Sequence, residues 1–132
     1  MIKENELEIL KQGSRGQKKA TSDYFHGVVF QNPNIVAPEP SRVLAIKISF
    51  EPKSRTAWHT NPLGQPLFVL SEFVLVGLGN KALKIINVGN SVLIAPNVEN
   101  WHGAIKEYLM ENMAIHEKIN WEVANWQEQV LD

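Results

Sequence analysis

The chain of 132 residues contains no cysteine. That excludes disulfides, thiolate metal centres and cysteine nucleophiles, and it fits a reducing, cytoplasmic setting. Charge of one sign is also lacking: 13 basic residues stand against 14 acidic ones, for a formal net charge of −1. Such a balance gives no field to gather nucleic acid or to hold an anionic membrane. No apolar run approaches the roughly 20 residues of a membrane span. The first 13 residues carry Lys3, Glu4, Glu6, Glu8 and Lys11 and lack the apolar stretch of a signal peptide. Neither nucleic acid nor membrane is therefore expected as a partner. A phosphate-binding loop, a G-x-S-x-G elbow and an H-E-x-x-H helix are all missing, as are internal repeats and low-complexity tracts.

What remains is ordinary globular composition, 44% hydrophobic and 20% charged. The length suits one domain, which by size scaling buries roughly 68% of its unfolded surface. Residues 1–20 read as an arm, with a turn of helix over 4–12 and a polar loop over 13–19. From Tyr24 onward the pattern becomes short β-like runs with frequent breaks. Residues 42–50 alternate strictly, with Leu44, Ile46, Ile48 and Phe50 on one face. Further strands are expected over 25–30, 57–61, 67–76, 82–87, 92–95, 101–105 and 110–119. Turns fall at Asn32-Pro33-Asn34 and after Phe50, Gly77 and Val88. About nine short strands with turn signals about every 8–12 residues predict an all-β sandwich or barrel. The barrel domain is placed at 21–120. Residues 121–132 form a terminal segment, read as a short helix over 121–129 that packs on the barrel or on a second subunit.

Without cysteine, the four histidines His26, His59, His102 and His116 are the strongest ligands available. In a strand, His59 and Asn61 share a face. After the break at Pro62–Gly64, Gln65 can return its side chain to that face, and a hairpin-built barrel brings His102 opposite. His116 shares the phase of Asn112 in the last strand. A single histidine in a strand is more often a surface or satisfied core residue than a ligand, and His26 is read as a surface residue. Lys47 interrupts an alternating strand and is read as solvated. Trp58 and Trp101 each precede a candidate ligand, so alternation turns them to the opposite face, into core or interface.

The residues around these histidines resemble a known family. Arg55-Thr56-Ala57-Trp58-His59-Thr60-Asn61-Pro62-Leu63-Gly64-Gln65 is similar to the first signature of the small single-domain cupins. Residues 89–96, followed by Asn100-Trp101-His102-Gly103-Ala104, are similar to the second. The stretches Tyr24-Phe25-His26-Gly27-Val28 and 38–52, and Trp126 in the tail, also resemble that group. The likeness spans about residues 23–117. Its nearest subgroup includes manganese-dependent hydroxynitrile lyases of bacterial cupin type and cupins associated with carboxymuconolactone decarboxylases.

The resemblance implies a cupin-type double-stranded β-helix, or jelly-roll barrel, with a divalent metal (Mn, Fe, Ni or Zn) in its mouth. By position the ligands would be His59, Asn61, Gln65 and His102, with Asn112 or His116 handling a proton. The expected activity is lyase or decarboxylase-like chemistry on a small polar molecule, the metal serving as Lewis acid. Several positions depart from the family pattern. Asn61, Asn100 and Asn112 stand where histidine is usual, Asn90 stands where aspartate is usual, and Glu72 and Val74 replace common glycines. Two imidazoles and two amides are a neutral set that leaves the metal charge uncompensated. The alternative is accordingly a degenerate, metal-free cupin that binds a small ligand or a partner protein. A homodimer is expected, from the arm, the sheet edges and four tryptophans. Residues 24–30 and the tail around Trp121 and Trp126 are its expected contact surface.

Overall fold

The computed structural model describes residues 7–79, 81–119 and 123–130. The described residues form thirteen strands in two curled antiparallel sheets. In the first sheet lie β1 (Lys18–Lys19), β3 (Val29–Val36), β4 (Val43–Phe50), β7 (Gln65–Ser71), β10 (Ser91–Ile94) and β12 (Met110–Glu117), in the spatial order β1-β3-β4-β12-β7-β10. The second holds β2 (Phe25–His26), β5 (Arg55–Thr56), β6 (His59–Thr60), β8 (Phe73–Leu78), β9 (Lys84–Asn87), β11 (Asn100–Gly103) and β13 (Asn125–Trp126). There β11 is the hub, pairing with β5 and β6 on one side and β8 on the other. Curled antiparallel sheets facing one another form the expected jelly-roll.

Period-two alternation builds the core. Ile48 and Phe50 on β4, Leu67 and Val69 on β7, and Met110 and Ala114 on β12 face Val74 and Val76 on β8. Phe50, Leu67, Val69, Val74 and Met110 are each at most 1% exposed. Burying side chains of this size contributes about 1.5–3 kcal/mol apiece. Outside the second sheet Trp101 is nearly buried. Its ring lies over Gly77, where any Cβ would collide with the indole, and the Arg55 guanidinium sits 4.8 Å from its centre.

Four expectations about local structure need correction. The strand read over 25–30 is two strands, because Gly27 takes φ 85° and packs against the Ser54 side chain, whose hydroxyl accepts from the Val28 N–H. Asn32-Pro33-Asn34 is not a turn: β3 runs through it, with a register irregularity between Pro33 and Ile35. Proline is tolerated there because β1 covers only Phe30 and Gln31, which leaves β3 an edge at Pro33. The run over 67–76 breaks at Glu72, whose φ of 56° turns the chain from the first sheet into the second. The helices expected at the two ends are absent among the described residues. Residues 7–11 are irregular and followed by turns. The tail pairs as β13 against β6, extended by Gln127 N–H to Trp58 C=O and Trp58 N–H to Glu128 C=O, both 2.8 Å. A nine-residue helix is marginal in isolation, and the strand arrangement satisfies the free edge of β6.

The tail therefore packs on its own barrel. Tyr24 stacks on Trp126 at 4.7 Å, and Phe25 and Val29 belong to the core. Part of the surface expected to join two protomers thus packs inside one chain, while Tyr24, His26, Gly27 and Val28 stay exposed; Trp121 lies outside the described residues. Glu72 also yields a test. An L-residue in the left-handed region costs about 1–2 kcal/mol, against about 0.5–1 kcal/mol for the added freedom of glycine in the unfolded chain. Glu72→Gly is expected to raise the urea midpoint by about 0.5–1 kcal/mol of stability; a lower midpoint would contradict that.

Candidate metal centre

Strand β6 exists because Pro62 and Gly64 stop it after two residues and because β11 and the tail pair with its backbone. Asn100 lies opposite His59 in register, and Asn100 Nδ2 donates to the His59 carbonyl at 3.2 Å and to the Val98 carbonyl at 3.0 Å. Asn100 is thus a brace between strands, and its side chain does not line the cavity. The His59 ring points into the barrel, 1% exposed. Its Nδ1 lies 3.0 Å from the Ala57 carbonyl. A carbonyl can only accept, so Nδ1 carries the proton and Nε2 presents a lone pair to the interior.

That lone pair faces Gln65 Oε1 at 3.4 Å. Two acceptors in this relation repel unless a cation lies between them; a half-turn of the Gln65 amide removes the conflict when none does. The Gln65 Nε2 lies 3.3 Å from both ring nitrogens of His116. Asn61 donates from Nδ2 to the Val123 carbonyl at 2.9 Å, and its buried Oδ1 has no partner. The His102 ring stands edge-on to His59 at 5.6 Å and to Phe50 at 5.8 Å. His59, Asn61, Gln65 and His102 thus line the same space, with His116 beside Gln65.

These groups line one cavity of about 90 Å³ inside the barrel. At about 30 Å³ per water it holds an ion with one or two waters, or a ligand of a few heavy atoms. Its roof is the tail: Val123, Ala124 and Trp126 line it, and the Trp126 ring lies 4.8 Å from that of His59. Larger grooves of about 480, 650 and 550 Å³ on the outer surface contain none of the six candidate residues.

Burial sets the electrostatics. It lowers the pKa of His59, and it holds His102 well below the usual imidazole value, with His59 and His116 as like-charged neighbours adding to the effect. His116 is pushed down to about 4 by burial and then by His59. All three are neutral at pH 7, the state in which imidazole binds metal. Among the described residues, no group of three or more His, Cys, Asp or Glu side chains is placed to hold an ion. Any centre here depends on the two amides. His102 also lacks an orienting acceptor, since its buried Nδ1 has no partner, and such partners strengthen ligand histidines.

Asn112 is fully buried, has no partner at either amide atom and does not line the cavity. It sits beneath the site, opposite Ile48 and Val69. His26 is exposed at the outer edge, and Lys47 lies 4.0 Å from Glu111. Gln31 and Thr56 line the cavity too and escaped the sequence reading. Gln31 shares the inward phase of Val29, a signal hidden by ending that strand at Phe30.

No family model matches the chain. It is 36% identical over 126 residues to the (R)-mandelonitrile lyase of Granulicella tundricola, covering 96% of each chain. The chain belongs to the cupin family. A cupin-like protein of Thermotoga maritima superposes with a TM-score of 0.81 at 31% identity, covering 95% of this chain and 92% of that one. A cupin-2 domain of Rhodospirillum rubrum shares the fold alone, with a TM-score of 0.68 at 10% identity over 83% and 72% of the two chains.

Two outcomes are expected of this cupin. Asn112→Leu removes an unpartnered buried amide and should stabilise the protein by about 1–3 kcal/mol in urea unfolding without changing metal affinity; a loss of affinity would show that Asn112 serves the site. The second concerns pH. Unfolded imidazoles protonate near pH 6.5, whereas folded His116 does so near 4. Between those values the unfolded state binds more protons, so stability is full above about pH 6.5 and is lost as pH falls towards 4. Metal-free protein should lose about 2 kcal/mol from His116 alone between pH 7 and pH 5. Equal urea midpoints at the two pH values would contradict it.

Proposed function

We propose that this cupin is a metal-dependent lyase that cleaves the carbon–carbon bond of a small 2-hydroxynitrile, releasing cyanide and a carbonyl compound. The observation that carries the reading is that His59, Asn61, Gln65 and His102 line one buried cavity, with His59 Nε2 facing Gln65 Oε1 at 3.4 Å. Support comes from 36% identity over 96% of the chain to an (R)-mandelonitrile lyase.

The donor set fits a divalent transition ion. The unpartnered Asn61 oxygen and the opposed lone pairs of His59 and Gln65 are what a cation would satisfy. Mixed imidazole and amide-oxygen donors suit manganese, iron, nickel or zinc. Held there, the ion would supply positive charge to the substrate's hydroxyl oxygen and lower the pKa of its proton. The remaining work falls to the chain. His116, a neutral imidazole in the cavity lining at pH 7, takes the hydroxyl proton. The O–H electron pair becomes the second bond of the carbonyl, and the carbon–cyanide pair leaves with cyanide. The proton then passes from His116 to cyanide, and hydrogen cyanide departs. Trp126 and Phe25 keep bulk water out of the cavity.

Size argues for the substrate class. The cavity of about 90 Å³ is far below the about 300–1,000 Å³ of sites for larger ligands. An aliphatic hydroxynitrile of three or four carbons suits the closed barrel better than an aromatic one. A metal-free, ligand-binding cupin is the second reading, favoured by the partnerless Nδ1 of His102 and the absence of a three-residue ligand group among the described residues.

The manganese-loaded protein should release cyanide from acetone cyanohydrin faster than from mandelonitrile, and Trp126→Ala should narrow that preference. His116→Ala should lower kcat by about 100-fold or more; an unchanged kcat would remove His116 from the reaction. Asn61→His replaces an amide oxygen by imidazole and should tighten metal binding by about tenfold in competition with a chelating dye. Equal affinities would contradict the placement of Asn61 in the ligand set.

A further inference from the structure

Gln31 is a polar residue of the cavity lining that the reaction described above does not use. Its backbone is fixed on both sides, by Lys18 of β1 and Ile48 of β4. Alternation along β3 turns Phe30 and Asn32 outward. The Asn32 amide is spent at the surface, where Nδ2 donates to Gln17 Oε1 at 3.0 Å. Gln31 instead turns into the cavity. Among the described residues its amide has no hydrogen-bond partner. The neighbouring strand β4 adds only Ile46 and Ile48 to the lining, so this amide stands on an apolar wall. A polar group in such a place without a protein partner is placed for a ligand.

The residues suited to an ion lie elsewhere on the wall. Gln65 opens β7, three strands from β3 in the order β3-β4-β12-β7, which is about 14 Å along the curled sheet. His59 and His102 belong to the facing sheet. A small molecule held there by its hydroxyl oxygen has its second polar group free to meet Gln31. The other donors of the cavity are committed. His59 Nδ1–H donates to the Ala57 carbonyl, Asn61 Nδ2 to the Val123 carbonyl, and Gln65 Nε2 lies 3.3 Å from the His116 ring nitrogens. Thr56 Oγ1 accepts the His102 N–H at 3.2 Å and so stays on the histidine side.

We propose that Gln31 is a further catalytic residue of this cupin, donating from Nε2 to the nitrile nitrogen of the substrate and holding the nitrogen end of the departing cyanide. The assignment rests on the hydroxynitrile reading above. When the carbon–carbon bond breaks, its electron pair stays with the cyanide carbon, and negative charge spreads to the nitrogen. The carbon end takes the proton that His116 had accepted from the hydroxyl. The nitrogen end is left needing a donor that keeps its own proton. An amide N–H meets that need, and being uncharged it does not repel an ion. Its bond strengthens as charge develops, so it acts on the transition state more than on the bound substrate.

Isobutyronitrile has the nitrile but no hydroxyl, so it binds without being cleaved. Infrared spectra of it bound to manganese-loaded wild type should show the nitrile band at higher wavenumber than in an apolar solvent, the mark of a donated hydrogen bond. Gln31→Met keeps the length of the side chain and removes the donor. With equal circular dichroism, it should abolish the shift and weaken binding about two- to tenfold. With acetone cyanohydrin the same variant should lower kcat by about 10- to 100-fold, with KM changed by less than about threefold. A merely structural role for Gln31 would not move the nitrile band. An unshifted band in wild type, or a shifted band that persists in Gln31→Met, would overturn the proposal, as would cleavage at an unchanged kcat in that variant; the lyase reading would survive the last. Protein that cleaves no hydroxynitrile yet shows a Gln31-dependent band would support the nitrile contact and overturn the reaction.

Discussion

The two-residue strand at His59 and Thr60 is the constraint on which the rest of the site depends. Its backbone is held on one side by β11, through Asn100, and on the other by the tail, through Trp126. The Ala57 carbonyl then fixes the tautomer of the ring. Remove either neighbour and His59 loses its direction, the cavity loses its roof, and the lone pair no longer faces Gln65. One short strand thereby couples the tail over 125–128 to the cavity at the barrel's centre.

Burial has two consequences here. It keeps three imidazoles neutral at pH 7, so they need shed no proton on meeting a cation. It also removes the water that would otherwise satisfy Asn61 Oδ1 and Asn112. The first of these unpartnered amides points to a ligand; the second, below the cavity, is a cost to folding. An uncharged ligand set would leave positive charge on an ion held there at the expense of affinity.

Much of this was legible in the sequence, for physical reasons specific to each residue. The alternation of Leu44, Ile46, Ile48 and Phe50 named a core face from which only Leu44, near the start of β4, falls outside the core cluster, and the double signature around His59 and His102 carried the cupin family. His116 followed from its phase with Asn112, and both do point inward. What phase does not encode is depth: Asn112 lies under the cavity and His116 within its lining. The tail was misread because its side-chain spacing suits a helix, while the unpaired edge of β6 is created by distant segments. Pro33 was read as a turn because local rules know nothing of where a neighbouring strand ends. Gln31 and Thr56 were missed for the same reason, since a lining residue is defined by what stands across the barrel.

The most direct test of the account is the metal content of protein produced in medium supplemented with manganese, iron, nickel and zinc, measured by elemental analysis on the wild type and on a His59→Ala, His102→Ala double variant. Circular dichroism would first establish that both are folded. The account predicts close to one equivalent of a divalent transition metal per wild-type chain and almost none in the variant. Equal and far substoichiometric metal in both would contradict it and leave a metal-free cupin.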